Sequence, residues 1–94
     1  MIASSDPAPS AAPPARVTLL TKPGCHLCDQ ARTVVAAVTA ELGLGFDEVD
    51  ITADPELFDR YWEQIPVTLV DGAQHDFWRV DPIRLRTALT RPTP

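Results

Sequence analysis

Two cysteines three positions apart, in Cys25-His26-Leu27-Cys28, stand between an apolar, β-branched run and a long helical pattern. The run ahead of them is Arg16-Val17-Thr18-Leu19-Leu20, and these are the only two cysteines in the chain. The placement has a physical logic. A sulfur at a helix N-terminus meets unpaired backbone N–H groups and the positive end of the helix dipole, which stabilise negative charge. A second sulfur one turn later is near enough to attack or to close a disulfide. The thiolate is the nucleophile, so the helix end favours the reactive form. Such a pair at a strand-to-helix junction reads as a redox motif. Other uses fit less well. A zinc site takes about four ligands, and beyond the two thiols only His26, His75 and carboxylates remain. A c-type haem needs His directly after the second cysteine, where this chain has Asp29. A disulfide closing so short a loop would stabilise the fold by only about 2 kcal/mol in the chain-entropy picture.

The chain has 94 residues, enough for one small domain. Pro7, Pro9, Pro13 and Pro14 crowd its start, and Pro92 and Pro94 close it. Residues 1–15 are expected to be a disordered Ala/Pro-rich tail, 16–90 the folded domain and 91–94 a short tail. Net charge is −5, Lys22 is the only lysine, and no basic stripe forms. That argues against nucleic acid as a partner. No stretch reaches the ~18 apolar residues of a membrane span. The start, Met1-Ile2-Ala3-Ser4-Ser5-Asp6-Pro7, lacks the basic and apolar regions of a signal peptide. A cytoplasmic location is expected, where thiols stay reduced and a Cys-x-x-Cys is catalytic or metal-binding rather than a structural bridge.

Periodicity predicts a strand over 16–21, with Leu19-Leu20 in succession suggesting burial on both faces. Pro23-Gly24 then turns the chain. A helix is predicted over 26–42, with Leu27, Ala31, Val34, Val35, Val38 and Leu42 on one stripe and Gly43 after its end. Asp29, Gln30, Arg32, Thr33 and Glu41 lie mostly off that stripe. A second strand is predicted over 46–51, parallel to the first because a helix joins them. A short helix over 54–63 has Asp54 as cap, Pro55 in its first turn, and Leu57, Phe58, Tyr61 and Trp62 on its apolar side. Strands over 67–71 and 74–80 flank the hairpin signal Asp71-Gly72. Asp81-Pro82 caps a last helix with Ile83, Leu85, Ala88 and Leu89 facing inward. The order β-α-β-α-β-β-α makes an α/β sandwich, a parallel half joined to a hairpin half in one sheet. His75 reads as strand surface, Trp62 and Trp78 as core or rim, and Asp29 as a complement to the helix dipole.

Residues 16–90 resemble a glutaredoxin-like protein of the thioredoxin superfamily. Cys25-His26-Leu27-Cys28 matches the active-site motif, and Lys22 sits three residues before it, as in many glutaredoxins. Ile65-Pro66-Val67 matches the segment that opens strand three, where the family has a cis-proline facing the cysteines. Gln74 to Asp81 resembles a small bacterial glutaredoxin-like subgroup. Two departures stand out. Well-characterised glutaredoxins carry Pro-Tyr between the cysteines, where this chain has His26-Leu27. They also carry Gly-Gly and a polar, Asp-containing turn that holds glutathione, where this chain reads Phe77-Trp78-Arg79-Val80-Asp81.

The resemblance implies a thioredoxin-like fold around a mixed four-stranded sheet of order 2-1-3-4. It implies a dithiol–disulfide oxidoreductase in which Cys25 attacks and Cys28 resolves. Lys22 is then available for a substrate carboxylate, and Ile65 and Pro66 for the substrate's peptide edge. His26 can stabilise the Cys25 thiolate when protonated or be an exposed turn residue. The expected substrates are protein disulfides or mixed disulfides. No cofactor or metal is expected to be bound, and a small thiol or thioredoxin reductase is the expected electron donor. The chain is expected to be a monomer with no nucleic-acid or membrane partner. Two alternatives stay open: an iron–sulfur or other metal-binding module, and a non-catalytic binding domain on the same scaffold.

Overall fold

The computed structural model describes residues 15–91. The expected tails therefore lie outside the described residues, except for Ala15 and Arg91. Strand β1 (Val17–Thr21) leads into helix α1 (His26–Glu41), then strand β2 (Phe46–Asp50) and a 3-10 turn (Ile51–Ala53). Helix α2 (Pro55–Tyr61), strands β3 (Val67–Val70) and β4 (Ala73–Phe77), and helix α3 (Pro82–Thr90) complete the order. The four strands form one sheet in the order β2-β1-β3-β4. β1 pairs parallel with β2 and antiparallel with β3, and β3 pairs antiparallel with β4. This is the mixed sheet expected from the resemblance.

Adjacent leucines in β1 divide the core. Leu19 faces α1 and α3, with Val17, Ala31, Val35, Val38, Leu85 and Leu89. Leu20 faces the other side, with Cys28, Ile51, Ile65 and Val67, closed over by Leu57 and Tyr61 of α2. Each fully buried side chain of this size contributes roughly 1.5–3 kcal/mol of transfer free energy. The central strand is therefore held from both faces, as the Leu19-Leu20 pair suggests.

The hairpin joining β3 and β4 is tight. Asp71 and Gly72 both take positive φ, 53° and 84°, the backbone that a two-residue hairpin turn requires. Arg16 holds Asp71 in place with two parallel bonds of 2.9 Å to its carboxylate. The same guanidinium donates to the Leu89 carbonyl at 3.0 Å, tying the hairpin to the end of α3. Arg16 in turn keeps the Asp71 carboxyl below its usual range.

Four expectations are corrected. Ile83, expected to face inward, is 68% exposed. The buried face of α3 is set by Leu85 and Leu89, one turn apart, and Ile83 lies two residues from Leu85, on the opposite side. Helix α2 stops at Tyr61, so Trp62 caps it and stands 52% exposed. Strand β4 ends at Phe77 rather than 80, because Trp78 takes a φ of 64°. His75, expected on the strand surface, is half-buried against α3, and its Nε2 is enclosed without a hydrogen-bond partner among the described residues.

Candidate active site

The cysteine pair is built by local backbone. Thr21 ends β1, and Gly24 takes a φ of 72°, a conformation open to glycine at no steric cost. Cys25 is then the N-cap of α1, with extended φ and ψ of −105° and 113°. Its sulfur accepts the Cys28 backbone N–H at 3.1 Å. The thiol thus occupies the position where Ser or Asp usually satisfies a free helix N–H. Both cysteines are free thiols, Cys25 half-buried and Cys28 buried.

The two sulfurs differ sharply. Burial, joined by a hydrogen bond to Cys25, pushes the Cys28 thiol up from 9.0 to about 12. A backbone hydrogen bond from Lys22 and the positive charge of Arg32 oppose this. Arg32 is held one turn after Cys28 by a polar network. Its guanidinium forks onto Glu48 with two bonds of 2.7 Å and reaches Asp29 at 2.8 Å. Thr21 donates to the same Glu48 carboxylate at 3.1 Å. Arg32, with help from Thr21, keeps the Glu48 carboxyl below its usual range against the opposing effect of burial.

The Ile65–Pro66 peptide bond is cis. Ile65 packs in the same cluster as Cys28, and Cys25 packs against that cluster. The sheet explains the meeting. Leu20 near the end of β1 pairs with Val67 at the start of β3, so the segments carrying Cys25 and Pro66 meet at the same end of the two central strands. The Pro66 carbonyl accepts the Trp78 N–H at 2.8 Å. Lys22 and His26 stand exposed at the rim. Among the described residues no group of three or more His, Cys, Asp and Glu stands where it could hold a metal ion.

Sequence reading misses two features here. Asp29, expected to complement the helix dipole, pairs its carboxylate with Arg32; the three-residue spacing on one helix is the signal for that contact. Glu48 comes to Arg32 through the register of β2 on β1, Glu48 opposite Leu19, which the expected parallel pairing does not by itself fix. The second feature is the contact of Trp78 with the Pro66 segment, across a long separation in sequence.

A mixed sheet in this order, with a dithiol at the start of the first helix and a cis-proline beside it, defines a thioredoxin-like fold. The chain belongs to the Glutaredoxin-like domain family (DUF836), whose profile matches residues 16–90. It is 35% identical over 83 residues to an uncharacterized protein of Mycobacterium tuberculosis, covering 83% of this chain and 86% of that protein. A solved structural-genomics target protein from X. campestris superposes with a TM-score of 0.64 at 34% identity, covering 78% of this chain and 93% of that one. A mutant thioredoxin from Halobacterium salinarum has the same fold, with a TM-score of 0.57 at 19% identity over 83% of this chain and 76% of that one. A glutaredoxin-like fold that presents Cys25 and Cys28 in this way supports a function of the thiol-oxidoreductase type.

Proposed function

We propose that this protein is a dithiol–disulfide oxidoreductase that reduces protein disulfides or mixed disulfides. The observation that carries the reading is the division of labour within the pair: Cys25 caps the helix, half-exposed, and Cys28 lies buried one turn behind it. The Cys25 thiolate attacks one sulfur of the substrate disulfide. A Cys25–substrate bond forms, the substrate S–S bond breaks, and the second substrate sulfur leaves as a thiolate that takes a proton. Cys28 then gives up its proton and attacks the Cys25 sulfur, releasing the first substrate sulfur as a thiol. The protein ends as the Cys25–Cys28 disulfide, oxidised by two electrons, and the substrate has gained two electrons and two protons.

The raised Cys28 pKa fits this sequence of events. Part of the hold on the Cys28 proton comes from the Cys25 sulfur. Once Cys25 is bonded to substrate its negative charge is gone, and that part of the hold goes with it. Cys28 thus stays protonated in the resting dithiol and gives up its proton more readily when needed. Ile65 offers a main-chain edge beside the sulfurs, and an extended substrate pairing there gains affinity with little sequence preference. Lys22 attracts a substrate carboxylate, and His26 tunes the pair. A low-molecular-weight thiol or thioredoxin reductase returns the two electrons, with no bound cofactor. The protein works as a monomer in the cytoplasm.

The test uses single-cysteine variants. Cys25→Ser is expected to abolish reduction of an insulin-type disulfide, and Cys28→Ser to accumulate mixed disulfides that appear as a mass increase on the intact protein. Full turnover by Cys25→Ser, or failure of the wild-type dithiol to oxidise under mild oxidant, would overturn the reading.

A further inference from the structure

A groove beside the dithiol is not used by the chemistry above. One wall is Leu27, Ala31 and Val34 of α1, and the other is Trp78, Arg79 and Val80 from the segment between β4 and α3. Leu27 precedes Cys28 in the first turn of α1, so the groove adjoins that turn and runs along the helix toward Val34. It encloses about 220 Å³. Small-molecule sites run to about 300–1,000 Å³. The groove has room for a side chain or two rather than for a whole small ligand.

Trp78 is the unusual wall. Its φ of 64° lies in the left-handed region, which bulky residues rarely enter. Glycine would sit there without strain, yet the chain carries its largest side chain. The indole N–H donates to the Glu63 carbonyl at 3.1 Å, and the ring meets Phe77 edge-on at 5.0 Å. The ring is thus fixed, but it is 52% exposed and fills no core. Strained backbone of this kind concentrates at functional sites. Arg79 stands beside Trp78 on the same wall. Arg16, Arg32, Arg84 and Arg86 are each paired with a carboxylate. Arg60, Arg79 and Arg91 have no such partner among the described residues, and of these three Arg79 is the one that lines the groove.

We propose that this groove selects substrates, taking an apolar side chain and a neighbouring carboxylate from the segment that flanks the disulfide of a protein substrate. The side chain lies between Leu27 and Trp78, and the carboxylate meets Arg79. This rests on the disulfide-reductase reading, and it adds which disulfides are reduced first.

The test compares three peptides with the same intramolecular disulfide, flanked by Leu-Glu, Leu-Lys or Ser-Lys. Wild type is expected to reduce the Leu-Glu peptide with a kcat/KM roughly tenfold above the Ser-Lys peptide, the rate equivalent of one modest contact pair. Arg79→Glu is expected to prefer Leu-Lys over Leu-Glu, a reversal that a misfolded variant cannot produce. Trp78→Gly, which suits the local φ, is expected to narrow the gap between Leu-Lys and Ser-Lys. Equal rates on all three peptides, with hydroxyethyl disulfide still reduced, would overturn the groove and leave the reductase standing. Inability of wild type to reduce hydroxyethyl disulfide or any peptide would overturn the reductase itself. Faster, Arg79-dependent turnover of glutathione disulfide than of any peptide would make the groove a small-thiol site and overturn the proposal.

Discussion

At the scale of single residues, two sulfurs of identical chemistry are made different by a single helical turn. Cys25 keeps solvent access, and Cys28 is 1% exposed with its thiol pushed up to about 12 by burial first and by Cys25 second. A neutral maleimide or iodoacetamide at pH 7 is therefore expected to label Cys25 first. Cys28 labelling should stay slow through pH 9, where an ordinary thiol is already mostly ionised. Peptide mapping of the singly labelled protein checks this, and a first adduct on Cys28 would reverse the roles. Arg32 acts on Cys28 through charge alone and is itself held by Glu48 and Asp29. Arg32→Gln is expected to lengthen the life of the mixed disulfide by up to about fivefold, the scale of an exposed charge interaction. Quenched-flow trapping of the mixed disulfide measures it. An unchanged lifetime would limit Arg32 to joining α1 with β2.

At the scale of elements, what periodicity can see came through and what depends on a single backbone angle did not. Leu19-Leu20, Asp71-Gly72 and the Asp54 and Asp81 caps carry their structural meaning locally, and each stands where expected. The end of β4 was not legible, because Trp78 and Val80 continue an alternating pattern that only the φ of Trp78 breaks. The inward face of α3 was half legible: Leu85 and Leu89 hold it and Ile83 does not. Leu85→Ala is expected to cost about 2–5 kcal/mol of unfolding free energy. Ile83→Ala is expected to stay within about 0.5 kcal/mol. Equal losses in urea titrations would restore Ile83 to the core. His75 under α3 supplies a pH test. Burial, then the nearby Arg84, lower its pKa below 6.5, while Asp76 and Asp81 oppose them. A depressed histidine favours the folded state above its unfolded pKa, and that contribution is lost as pH falls from about 6.5 toward the folded value. The urea midpoint is expected to drop between pH 7.5 and 5.5, and to drop less in His75→Gln. Equal drops would clear His75 of the effect.

At the scale of the whole molecule, sheet order decides what stands beside the dithiol. Pairing of β1 with β3 brings the Pro66 segment to the cysteines, and the chain leaving β4 arrives beside both. In the well-characterised glutaredoxins that the sequence resembles, the turn at this place holds glutathione. Here the backbone N–H groups of Trp78, Arg79 and Asp81 and the Asp81 carboxylate are already engaged. The Trp78 N–H goes to the Pro66 carbonyl and the Arg79 N–H to the Phe77 carbonyl, each at 2.8 Å. The Asp81 N–H goes to the Asp76 carboxylate at 3.3 Å. The Asp81 carboxylate accepts the Ile83 and Arg84 N–H groups at the start of α3. A tripeptide carrying charge at both ends would have to displace these bonds or do without them. Each charge-assisted bond forgone is worth about 1.5–3 kcal/mol, and every 1.4 kcal/mol is about a tenfold loss of affinity. Among the described residues Lys22 and Arg79 are both without a carboxylate partner and both exposed, but an exposed ion pair contributes at most about 1 kcal/mol. The expected outcome is a kcat/KM for an insulin-type protein disulfide at least tenfold above that for a glutathione mixed disulfide. The glutathione adduct should show no saturation at millimolar concentration, and Lys22→Ala should change its rate by no more than about fivefold. Tight, saturable turnover of the adduct, lost in Lys22→Ala, would mean that the turn before α3 opens on binding and exchanges its internal bonds for the tripeptide.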